Sequence, residues 1–252
     1  MKRKYKYLIG IFVVFCSLSV VLDFATMFKG STVSTTVPQT KNEYCARVEP
    51  YPIPEQLKRA VSFIIERYSK NQKDWYQNVG MDYLKMKNCI DISFTNLNSE
   101  GAEGMFSFDE SVSTPERLVI QVDQSYINLD ELSTALLLTH ELTHARQFVR
   151  EYFGGPKLDC VQKETEAYAQ QTLFSMISLT KEEQNSLTSR IETGSTSSNQ
   201  VRFFEQLVNW GYDATKGCTN AKDKDQCFLD GLVKSIKSWV ISQSAYKEQC
   251  GI

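Results

Sequence analysis

Residues 131–153 read as one uninterrupted helix of about six turns, and that helix carries both histidines of the chain, His140 and His144. Asp130 supplies an N-cap, with Ser133 as the alternative. Gly154-Gly155-Pro156 ends the segment, because two glycines and a proline do not continue a helix. A spacing of four residues puts the two imidazoles on one helix face, about one turn apart. Glu141 follows the first of them, so His140-Glu141-Leu142-Thr143-His144 has the form His-Glu-x-x-His.

That pattern carries a definite chemistry. Two imidazoles on adjacent turns can meet one Zn²⁺ at about 2.0–2.1 Å. The Glu141 carboxylate emerges beside them, where it can take a proton from an attacking water as a general base. A catalytic zinc ordinarily has three protein ligands. The chain has no third histidine, so a carboxylate or a cysteine must complete the set. Glu164 and Glu166, in Lys163-Glu164-Thr165-Glu166-Ala167-Tyr168, are candidates. So is Cys160, for which a disulfide is the competing use. The second helix, over 161–177, is apolar nearly all round in its later half (Leu173, Phe174, Met176, Ile177). Periodicity therefore does not separate Glu164 from Glu166.

Taken together, these residues resemble the zincin metallopeptidases and, within them, the gluzincin group. The resemblance covers about 30 residues. It implies a zincin-like fold, one catalytic Zn²⁺ and a peptide or protein substrate. Glu164 is then the third metal ligand beside His140 and His144, Glu141 the catalytic base, and Ala167 a small residue that lets the helices approach. Two positions depart from the group's pattern. Tyr168 stands where an aspartate commonly orients a ligand histidine, and a phenol can also hydrogen-bond an imidazole. Arg146 stands where an apolar residue is favoured. Such sites also need a group to stabilise a developing oxyanion, and Tyr152, Tyr168 and Tyr212 are candidates. An edge strand near the metal is expected to line the cleft, from 118–122 or 105–108.

The N-terminus bears on location. Lys2, Arg3, Lys4 and Lys6 precede an uncharged apolar run over 7–22, which resumes at 24–28 after Asp23. The basic flank is expected to stay cytoplasmic. Residues 1–29 are then a single-pass membrane anchor, long enough to span, with the rest of the chain extracytoplasmic. A cleaved signal peptide followed by secretion is the alternative, although no small-x-small cleavage site is evident. Cys45, Cys89, Cys160, Cys218, Cys227 and Cys250 form an even set, as expected of three disulfides in an exported chain. Cys218 and Cys227 are close enough to be a local pair. Without its first 30 residues the chain holds 23 basic against 29 acidic residues, a balance that does not favour nucleic acid as a partner.

Residues 30–50 read as a linker, and 51–252 as one domain. A helix is expected over 55–69, where Leu57, Ala60, Val61, Ile64, Ile65 and Tyr68 recur at helical steps. Short strands are expected around Ile90-Ile92-Phe94, Met105-Phe108 and Leu118-Val122. Later helices are expected from Thr180, whose Thr-Lys-Glu-Glu has capping-box form, and over 200–212 and 225–247. A small sheet followed by an active-site helix and a mostly helical remainder is an α+β arrangement. A second functional class also fits: a non-catalytic, disulfide-stapled envelope binding or assembly protein on a zincin scaffold. Retention of Glu141 weighs against it, since metal holding alone does not need that carboxylate.

Overall fold

The computed structural model describes residues 45, 47–70, 78–99, 101–108, 117–193, 198–218 and 221–252. The expected anchor over 1–29, and the expected linker apart from Cys45 and 47–50, lie outside them. Among the described residues no helix is long and apolar enough to cross a membrane.

The three short runs with a period of two are strands β1 (Ile90–Thr95), β2 (Gly104–Phe108) and β3 (Leu118–Asp123). They form one sheet in the order β1-β3-β2. β3 is parallel to β1, with Ile92 opposite Ile120, and antiparallel to β2, with Phe106 opposite Ile120. Alternate residues of a strand share a face, and Leu118, Ile120 and Val122 put theirs wholly into the core. The central place of β3 removes it as a cleft-lining edge. β2 is an edge, because among the described residues only β3 pairs with it.

Helix α1 (Glu55–Lys70) buries Leu57, Ala60, Val61, Ile64 and Tyr68, the face its period predicts. A short helix α2 (Asn78–Met86) follows, which the sequence reading did not anticipate. The Cys45–Cys89 disulfide ties the segment before α1 to the residue before β1.

Helix α3 (Glu131–Tyr152) is the centre of the molecule. Asp130 caps it, accepting from the Ser133 amide at 2.9 Å. Every residue from Leu132 to Thr143 is buried, because α1, α2, the sheet and the next helix surround it. Such a helix must satisfy its polar side chains internally. Thr139 and Thr143 do so by donating to the carbonyls four residues back, at 2.8 and 2.7 Å. Gly154 ends α3 with φ 85°, a left-handed conformation that glycine adopts at no steric cost.

Helix α4 (Cys160–Leu173) begins with a reciprocal cap between Asp159 and Gln162 and runs into a wider turn, Phe174–Ser178. Helix α5 (Lys181–Thr193) has the capping box expected of Thr180 and Glu183, at 2.7 and 3.3 Å. Helices α6 (Ser198–Lys216), α7 (Lys224–Ser242) and α8 (Ser244–Cys250) follow. The single helix expected over 225–247 is thus two. Gln243 is extended, with ψ 132°, and the change of course brings α8 against α4. Cys218–Cys227 is the expected local disulfide, and Cys160 pairs with Cys250. The α+β class stands: a small three-stranded sheet and a mostly helical remainder.

Candidate metal centre

His140 and His144 project from the middle of α3, and Glu164 meets them from α4. Nε2 of His140 and Nε2 of His144 are 3.0 Å apart. The Glu164 carboxylate sits across both, with Oε2 3.5 Å from His140 Nε2 and Oε1 3.7 Å from His144 Nε2. Tetrahedral ligands at about 2.0–2.1 Å from a zinc ion stand roughly 3.3–3.4 Å from one another, and the three spacings bracket that value. The three residues could therefore hold a metal ion, each offering one ligand atom. Glu164, and not Glu166, is the carboxylate of that group.

The far nitrogens of the imidazoles bear on the same question. Gln147 spends both amide hydrogens on acceptors, the Lys163 carbonyl at 3.0 Å and Glu166 Oε2 at 3.0 Å. Its Oε1 is left facing His144 Nδ1 at 3.0 Å. A carbonyl oxygen only accepts, so Nδ1 carries the proton and Nε2 turns its lone pair towards His140 and Glu164. That is the tautomer a metal ligand requires. Gln171 donates to the Leu136 carbonyl at 2.8 Å. Its Oε1 and Nδ1 of His140 are both buried without a hydrogen-bond partner. Even so, Gln171 lies near enough to help raise the pKa of that ring.

Glu166, the competing candidate, is turned away from the imidazoles. It accepts from the Arg146 guanidinium, from Gln147, and from Arg150 Nη2 at 3.2 Å. Arg146, the departure from the zincin pattern, is thus explained as the counter-ion of a buried carboxylate. Cys160 is committed to its disulfide. Tyr168 does not hydrogen-bond an imidazole. Its ring packs edge-on against His140, with centroids 4.4 Å apart, and its hydroxyl pairs with that of Tyr246 from α8. Burial pushes both phenols upward in pKa, so both stay protonated. Tyr152 lies two turns beyond His144 on α3, half-exposed, and Tyr212 belongs to α6. Of the three tyrosines the sequence proposed, Tyr168 is the one that packs against His140 among the described residues.

The electrostatics follow from burial and from four titratable groups that act on one another. Burial, aided by His140, draws His144 down to about 4 against the pull of Glu164 and Gln147. It stays neutral, as a ligand must. Burial also draws His140 down, but Glu164 and Glu141 outweigh it and the net shift is upward. Burial would raise Glu164, yet His140, His144 and Gln249 hold it below the usual carboxylate range. Glu141 accepts no such bond among the described residues. Burial pushes it up to about 7, with the Glu164 charge adding and His140 opposing. Its carboxylate lies against Gly104 of β2: a Cβ there would stand 2.5 Å from Oε1. The edge strand passes this side chain closely because that position has none.

Sequence reasoning missed Gln147, Gln171, Gln249, Tyr246 and Gly104. One signal was present: Arg146 and Arg150, four apart on a helix otherwise buried, require an acidic partner on the next element, and Glu166 is that partner. No family model, curated protein or solved structure matches this chain.

Proposed function

We propose that the chain is an extracytoplasmic, zinc-dependent peptidase of zincin type, gluzincin-like, held to the membrane by its first 29 residues. The observation that carries the reading is the convergence of two imidazoles and one carboxylate, at 3.0–3.7 Å, beside a further buried carboxylate, Glu141, that has no ion-pair partner of its own among the described residues. His140, His144 and Glu164 hold the metal, and a bound zinc supplies Lewis acidity towards a peptide carbonyl and the attacking water. Glu141 takes a proton from that water and returns it to the amine nitrogen as the peptide bond breaks. The side of β2 that pairs with no strand among the described residues offers backbone donors and acceptors to an extended peptide, and Gly104 lets that peptide approach Glu141. Three disulfides support a place outside the cytoplasm, where such bonds persist.

A second reading rests on a specific observation, the burial of the site. His140, Glu141 and Glu164 are 7%, 4% and 6% exposed. Structural zinc sites are closed, whereas catalytic ones keep a position open, so a binding or assembly protein with a structural metal is the competitor. Glu141→Gln separates the two. In the full chain loaded with zinc, the peptidase reading expects cleavage of a mixture of unstructured peptides. The variant should keep its zinc and lose about 10²–10⁴-fold in rate. Undiminished cleavage by the variant would refute Glu141 as base. A zinc-loaded parent that cleaves nothing would support the structural reading.

A further inference from the structure

Three links join α8 to α4, and they form a ladder. Cys160, Glu164 and Tyr168 lie at four-residue steps on α4 and so share one face. From α8 they meet, in descending order, Cys250 through a disulfide, Gln249 through a hydrogen bond from Nε2 to Glu164 Oε1 at 3.1 Å, and Tyr246 through the paired hydroxyls. The two helices therefore run antiparallel across the metal-facing side of α4. The middle rung ends on the proposed metal ligand itself. One of the two oxygens of Glu164 accepts from Gln249, which fixes the plane of the carboxylate between the imidazoles.

Helix α8 does not hold this place through a core of its own. It has seven residues and buries none of them. A helix that short is not stable alone. Its near end is held where Tyr246 enters an aromatic cluster with Tyr168 and Trp239. Its far end, which carries Gln249, is held by the disulfide to Cys160, one turn before Glu164.

We infer that α8 is a strap on the metal centre: Gln249 is a positioning residue for Glu164, and the Cys160–Cys250 disulfide keeps it in place, so that full metal affinity depends on this one crosslink. The inference rests on the metal-site reading above. It assigns the disulfide a role in ligand geometry as well as in stability, and it predicts that the remote Cys218–Cys227 bond has no such role.

The test measures zinc affinity in the full chain by chelator competition, and the visible absorption of the cobalt(II)-substituted protein, whose band positions report ligand geometry. Gln249→Met keeps the length of the side chain and removes its donor. It should weaken zinc binding by about 10–100-fold and shift the cobalt bands, with the far-ultraviolet circular dichroism unchanged. The Cys160→Ser/Cys250→Ser pair should do the same, and Cys218→Ser/Cys227→Ser should leave both readouts as in the parent. Affinity within twofold of the parent in Gln249→Met, with unshifted bands, would overturn the strap. That result decides the matter even where the cysteine variant fails to fold. A parent that binds no zinc would overturn the metal reading and the strap together, whereas a parent that binds zinc alongside an indifferent Gln249→Met overturns the strap alone.

Discussion

Replacing Glu166 by Gln keeps the shape of the side chain and removes the charge that Arg146 and Arg150 share. The structure sets the size of the effect. Side-chain exposure is 7% for Glu166, 13% for Arg146 and 32% for Arg150, so the Arg146 pair is a buried one and Arg150 adds a partly screened second. Removing one partner of a buried pair leaves an uncompensated charge and costs about 3–5 kcal/mol. In a domain of this size that lowers Tm by roughly 6–20 °C. Glu164→Gln, two residues away and equally buried, should behave in the opposite way. It has no arginine to strand, so its loss of Tm is the smaller. It removes a ligand, so it should weaken zinc by more than the about 10–100-fold that changes behind a ligand cost. The assay is thermal unfolding of the parent and both variants, with saturating zinc and with chelator. A ligand present at a hundred times its Kd stabilises by about 2.7 kcal/mol. The parent should gain Tm in zinc, Glu166→Gln should start low and keep a zinc-dependent gain, and Glu164→Gln should show none. A gain that survives in Glu164→Gln and vanishes in Glu166→Gln would refute the assignment of the two carboxylates.

Gly104→Ala would put a methyl group 2.5 Å from Glu141 Oε1, so the carboxylate must move. Hydrolysis should fall about a hundredfold with zinc content unchanged, as metal analysis and peptide cleavage on one preparation would show. The cap of α3 makes a prediction in pH. Burial would raise the pKa of Asp130, but the Arg190 guanidinium and the Ser133 amide outweigh it and hold the carboxylate below its ordinary value of 3.8. A depressed folded-state pKa contributes stability above the unfolded value, and that contribution is lost as pH falls through the folded one. The parent should therefore exceed Asp130→Asn in urea-melting stability at neutral pH, and the gap should close progressively below about pH 4. A gap that widens on acidification would contradict the cap.

Much of this architecture was legible in the residues because local rules govern it. The helical steps from Leu57 to Tyr68, the alternation around Ile90 and Ile92, Asp130 as a cap and Gly154 as a stop each act within a few positions. Strand order was not legible, since β2 lies between β1 and β3 in sequence yet at the edge in space, a matter of long-range pairing. The choice between Glu164 and Glu166 was closed to periodicity for a physical reason: both are buried, 6% and 7% exposed, and from Glu164 onward no residue of α4 is exposed. Arginines one helix away decide it. The break at Gln243 has no proline or glycine to announce it. It is fixed by tertiary contacts, the Cys160–Cys250 crosslink among them, and through it α8 reaches Glu164.

Zinc K-edge X-ray absorption on the zinc-loaded full chain reads the proposed ligand set itself. The proposed site should give one zinc per chain, with two imidazole nitrogens at about 2.0–2.1 Å, oxygen in the remaining positions and no sulfur. Sulfur scatterers near 2.3 Å, a single imidazole, or a chain that takes up no zinc would contradict it.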